Sequence, residues 1–166
     1  MPLGDAYLEL IAVVDEAEAE QSLIGRWVAG AHPELARPLG WAVRASDLDH
    51  VARRLGLTIH EGSRARPDGT VLRWRSAGYE RAAVEPSFPF FIEWEQGSAL
   101  PGQTPITHPG GSLHVERLEL EGDADHLADW LGPHRLPIDV GPGSPAVKSV
   151  VLTGEAGRII IGPEPL

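Results

Sequence analysis

No cysteine occurs among the 166 residues, so disulfides, thiolate nucleophiles and zinc–thiolate centres are all excluded. Lysine is nearly missing too: Lys148 is the only one, and arginine carries almost all the basic charge. No apolar run approaches the roughly 20 residues that a membrane-spanning helix needs. The opening MPLGD lacks a basic stretch followed by an apolar one, so no leader or membrane partner is expected. Positive charge is scarce, with 24 acidic against 14 basic residues and a net charge of −10. A surface this acidic repels nucleic acid and anionic lipid. There is no helical H-x-x-x-H pair, no phosphate-loop glycine pattern and no G-x-S-x-G elbow. The remainder, 42% hydrophobic and 23% charged, is that of an ordinary globular chain long enough for one compact domain. The cytoplasm is the expected location.

The chain starts abruptly with AYLELIAVV (6–14), which reads as a strand. Asp15 follows as an N-cap with Glu18 three residues on, predicting a helix that carries Leu23, Ile24, Trp27 and Val28 and ends near Gly30. AHPELARPLG then reads as a connector.

Two segments beyond it repeat each other. Residues 47–56 read DLDHVARRLG and residues 123–132 read DADHLADWLG. Both fit D-x-D-H-Φ-A-x-x-L-G, a short helix with one apolar stripe, acidic capping residues in front and a glycine behind. A strand precedes each helix (GWAVRA; SLHVERLEL). Three strands follow each: LTIHEG, TVLRWRSA and PFFIEWE in the first copy, LPIDV, AVKSVVLT and GRIIIG in the second. Pro67-Asp68-Gly69 marks a hairpin turn in the first copy, and GPGSP (141–145) punctuates the second. The expected fold is therefore α+β: tandem βαβββ modules at 39–96 and 112–163, joined by a linker over 97–111 and preceded by a strand and helix over 1–38. They are expected to form a curved mixed sheet with helices on its outer face.

A tandem βαβββ unit resembles the vicinal oxygen chelate superfamily of glyoxalases, extradiol dioxygenases and bleomycin-resistance proteins. GDAYLELIAVVD, RARPDGTVLRWR (64–75) and PFFIEW (89–94) are similar to the glyoxalase-like family within it. In that family YLELI is the last strand of a complete first module, so the resemblance implies either an N-terminally shortened chain or a start assigned downstream of the true one. It also implies a concave pocket for a small-molecule ligand and, where a metal is used, lyase, isomerase or dioxygenase chemistry on Zn, Ni, Fe or Mn. The alternative it leaves open is a non-catalytic protein that sequesters a small molecule or merely dimerises. A homodimer is expected, because a module edge left unpaired within one chain invites a second.

The family pattern places metal ligands at Glu9 in YLELI and Glu93 in FFIEW. Strand alternation in PFFIEWE puts Phe90, Ile92 and Trp94 towards the helix and Phe91, Glu93 and Glu95 on the cleft side. The plain alternative for both glutamates is a solvated or arginine-paired face. First-strand ligands are harder to place: the family's spacing lands on Gly40, which cannot ligate, and on Glu116. A one-residue bulge there would turn Val115, Arg117 and Glu119 to the cleft and His114 away. The candidate pocket residues are Arg44, Arg73, Arg75 and Phe91, with His114 kept among them as the only histidine in a first strand, and no catalytic residue is assigned. Arginine beside Glu93 would fork a substrate carboxylate or neutralise the glutamate. His50 and His126 sit in first helical turns. His32, His60, His108 and His134 fall in connectors or on a strand exterior. The five tryptophans are expected in the core.

Overall fold

The computed structural model describes residues 1–31, 38–66, 68–98, 100–103 and 111–162. His32, Pro67, His108 and most of the predicted connector lie outside the described residues. The chain opens with a minimal hairpin, β1 (Pro2–Leu3) against β2 (Ala6–Tyr7). The strand predicted over 6–14 stops at Tyr7. Residues 8–14 join no sheet, and Leu10 and Val14 are 101% and 97% exposed. A β-prone run makes a strand only where another strand offers it a ladder, and none of the described strands does.

Asp15 caps a helix as expected, accepting from the Glu18 N–H at 3.0 Å. That helix is broken, however. α1 (Glu16–Gln21) ends at Ser22, whose hydroxyl accepts from the Gly25 N–H at 2.9 Å and opens α2 (Leu23–Ala29). Gly25 makes the break tight: a Cβ there would lie 2.3 Å from the Ala19 carbonyl oxygen.

The first repeat runs β3 (Ala42–Arg44), α3 (Leu48–Leu55), β4 (Ile59–Ala65), β5 (Val71–Ala77), α4 (Tyr79–Val84) and β6 (Phe90–Trp94). Apart from α4, which the sequence reading left out, this is βαβββ. Its strands lie in the order β3-β6-β5-β4, with β3 parallel to β6 and the other pairs antiparallel. Asp47 caps α3 by accepting from the His50 N–H at 2.8 Å, and Gly56 closes it at φ +66.

The second repeat, β7 (Leu113–Glu121), α5 (Ala124–Leu131), β8 (Ile138–Gly141), β9 (Ala146–Gly154) and β10 (Gly157–Ile161), keeps the element order. Asp123 caps α5 as Asp47 caps α3, here at 3.0 Å. Its strand order differs: β10-β9-β7-β8. The first strand, at the edge of the first sheet, is central in the second, parallel to β8 and antiparallel to β9. GPGSP therefore carries the chain across β7 rather than closing a hairpin. β3 has three residues and β7 nine, so the equivalent strand is a short edge in one repeat and a long central strand in the other. Both sheets are mixed, and the fold is α+β.

The two repeats are held together at α5. Trp130 belongs to the apolar clusters of both sheets, which centre on Leu118, Leu120, Leu127 and Leu152 in one and on Leu48, Ala77 and Phe91 in the other. Its indole meets Phe88 edge-on and donates to the Pro89 carbonyl at 3.0 Å. Arg54 of α3 donates to the Asp129 and Trp130 carbonyls at 2.8 and 2.6 Å, capping the C-terminus of α5.

Candidate functional site

Strand register decides where the predicted site residues point. Glu61, Arg75 and Glu93 are paired across β4, β5 and β6, so their side chains share one face. Arg73 and Phe91 share that face by alternation. It is the face that α3 covers: Phe91 packs with Leu48, and Glu93 Oε1 accepts from the Leu48 N–H at 3.1 Å. The predicted orientation of β6 is thus reversed. Phe91 is 3% exposed and lies in the core rather than in a pocket. Alternation could not settle the matter because β6 is apolar on both sides, with Ile92 also buried on the other.

Glu93 is fully engaged. Its Oε2 accepts from Arg75 Nε at 3.0 Å and from Nη2, while Arg75 Nη2 also reaches Asp49 Oδ2 at 2.8 Å. The hydrogen bond from Arg75 holds the Asp49 carboxyl below its usual range, and the two carboxylates raise Arg75 in turn. One arginine and two acids therefore pin the first turn of α3, where the helix dipole also favours negative charge.

The opposite face of the same sheet carries Leu72, Trp74 and Trp94, with the two indoles 5.4 Å apart. Arg64 is paired with Leu72 and so faces this side, where its guanidinium reaches Glu9 at 3.4 Å. Tyr79 of α4 stacks on Phe90 here at 4.3 Å. Tyr7, close to Glu9 and Tyr79, is pushed up to about 12, first by burial and then by the Glu9 charge. Burial raises Tyr79 as well. Glu9 and Glu93, the two predicted metal ligands, thus sit on opposite faces of one sheet. Glu93 has both oxygens taken by protein donors. These residues do not fit a shared metal, and no three described His, Asp or Glu side chains converge on a position that would hold one.

Arg44 parts company with the other predicted arginines. Val43 is paired with Phe91 on the α3 side, so Arg44 projects to the Trp94 side. There it lines an open cleft of about 460 Å³ with Ser46, Trp94, Gln96, Ser98 and Gln103. Sequence reasoning missed these partners. The usable signal was Gln96-Gly97 directly after β6, a turn with Gly97 at φ +84.

His114 lies in the second sheet. The predicted bulge exists: Val115 pairs with Leu152 and Arg117 with Val151, leaving Glu116 unpaired between them. Such a bulge turns both of its residues to one side. Val115 therefore faces the core, whereas His114, Glu116, Arg117 and Glu119 share the open face, a correction for Val115 and His114. That face is a closed charge network. Arg117 donates to Glu119 at 2.6 Å and Glu116 at 3.1 Å, Arg158 donates to Glu116 at 2.7 Å, and Ser149 donates to Glu119 at 2.6 Å. Glu119 is held below the usual glutamate range, mainly by Ser149 and then by Arg117.

Two successive βαβββ units built on mixed sheets define the class of fold. The glyoxalase-like domain family matches residues 1–135, through α5 but short of β8. The chain belongs to that family, within the glyoxalase and vicinal oxygen chelate superfamily. No curated protein and no solved structure shows significant similarity to the chain.

Proposed function

We propose that this glyoxalase-like chain binds a small organic molecule on the side of its first sheet that faces away from α3, without a metal held by Glu9 and Glu93. The observation that carries this reading is the engagement of Glu93. A carboxylate that caps α3 and is forked by Arg75 gains nothing by trading both for a cation, and Glu9 is on the wrong face to help it. The open cleft at Arg44 and Trp94 lies on that side and has room for a small ligand. Binding of this kind matches a sequestering role better than lyase, isomerase or dioxygenase chemistry. The proposed compartment is the cytoplasm, whose reducing poise costs a cysteine-free chain nothing. Thermal unfolding with Zn, Ni, Mn or Fe tests the reading: none is expected to raise Tm. A saturable rise with any one of them, abolished by Glu9→Ala and by Glu93→Ala alike, would overturn it.

The second part of the proposal is self-association. Leu10, Ile11 and Val14 are exposed on a β-prone segment without a ladder, and Ile159 and Ile160 are exposed on the edge strand β10. Bare apolar edges of this kind pair with another chain. Light scattering is expected to give a dimer mass, and Leu10→Glu a monomer with unchanged secondary structure. A wild-type monomer at every accessible concentration would contradict it.

A further inference from the structure

The cleft at the ends of β3 and β6 is specific enough to name a ligand class. The two strands run parallel, so Arg44 and Trp94 emerge side by side on one face before the chain turns at Gly97. Arg44 is exposed and makes no ion pair with any described residue, unlike Arg75, Arg64 and Arg117, which are all paired. An unpaired guanidinium offers a planar fork of donors that matches a carboxylate. Beside it, the Trp94 indole is steadied by Trp74 at 5.4 Å and presents an apolar surface. Gln96 and Gln103 add amide groups, and Glu95 is the one acid in the lining.

We infer that this cleft takes a monocarboxylate with a flat apolar body, the carboxylate forked by Arg44 and the body resting on Trp94. The inference rests on the reading of this side of the sheet as the small-molecule site. One cation and one acid in the lining set the charge rule. A single negative charge is accepted at Arg44, the one basic residue of the lining, and a second finds no cation there. A flat ring suits Trp94 because offset stacking against an indole adds to the apolar area removed from water.

Benzoate, benzamide and inorganic phosphate serve as probes, each titrated to about 10 mM, a range in which weak one-site binding is measurable. The readout is the set of five tryptophan indole N–H signals in a proton–nitrogen correlation spectrum, with Trp94 assigned by its loss in Trp94→Phe. Benzoate is expected to move the Trp94 signal saturably, benzamide and phosphate far less. Arg44→Gln is expected to weaken benzoate at least about tenfold, the usual size of one lost charge-assisted fork. Because Arg44 is exposed and unpaired, the variant keeps the other four indole signals in place, which verifies its fold. Arg73→Gln, on the opposite face, leaves benzoate affinity unchanged. Benzamide or phosphate binding as tightly as benzoate, or Arg44→Gln without effect, overturns the carboxylate inference and leaves the cleft as the site. A Trp94 signal indifferent to all three probes overturns both the inference and the reading beneath it.

Discussion

Glu119 accepts from Ser149 and Arg117, and both bonds favour its ionised form. Its folded pKa is therefore depressed, so the unfolded state takes up the proton more readily. The stabilisation is complete above the unfolded value of about 4.3, and it is lost as pH falls through the lower folded value. Asp49 and Asp123 act in the same direction, through Arg75 and through the His126 backbone N–H. Tm is expected to be flat from about pH 5 to neutrality and to fall on acidification, with Glu119→Gln showing a shallower acid slope than wild type. An unchanged slope would remove Glu119 from the account. Single residues were legible in the sequence where chemistry is local: Asp15, Asp47 and Asp123 all cap the helices they precede. Glu93 was not legible, because its orientation depends on which apolar face of β6 receives α3.

Elements were legible where pattern and punctuation agreed. All eight strands of the two modules, and both repeat helices, lie where alternation, stripe and glycine placed them. The failures have separate causes. Beyond Leu8, which bonds back to Met1, the segment 9–14 has strand chemistry but no partner strand among the described residues. α1 and α2 were read as one helix because Ser22 interrupts the ladder without a proline or glycine at the break itself. α4 starts at Gly78 with no side-chain cap, so nothing in the sequence announced it. The junction of α3 with α5 could not be read at all, since Arg54 and Trp130 are far apart in the chain. Arg54→Ala leaves the last carbonyls of α5 without that cation and is expected to cost about 1 kcal/mol, read as a lowered urea midpoint. An unchanged midpoint would show that water caps α5 equally well.

For the molecule as a whole, the duplication was visible in the text whereas the two strand orders were not, because a shared motif fixes element order and leaves pairing to tertiary packing. Among the described residues Trp130 and its neighbour Leu131 both touch the two clusters, and Trp130 is the larger of the pair. Trp130→Ala is expected to cost about 3 kcal/mol or more and to broaden the unfolding transition as the repeats lose their common anchor. A full loss of stability with a sharp transition would instead make the molecule a single cooperative unit. The central claim concerns what Glu93 does for this assembly: it holds the start of α3 against β5 and β6 and does not hold a metal. The direct test is the Tm of wild type and Glu93→Ala, each with and without a strong chelator. Losing the α3 cap and the Arg75 fork costs about 1–3 kcal/mol, and each kcal/mol is about 2–4 °C in a chain of this size. The account predicts that the variant melts lower by the same margin in both buffers, while the chelator leaves wild type unmoved. A chelator that lowers wild type to the level of the variant, and leaves the variant unchanged, would contradict it.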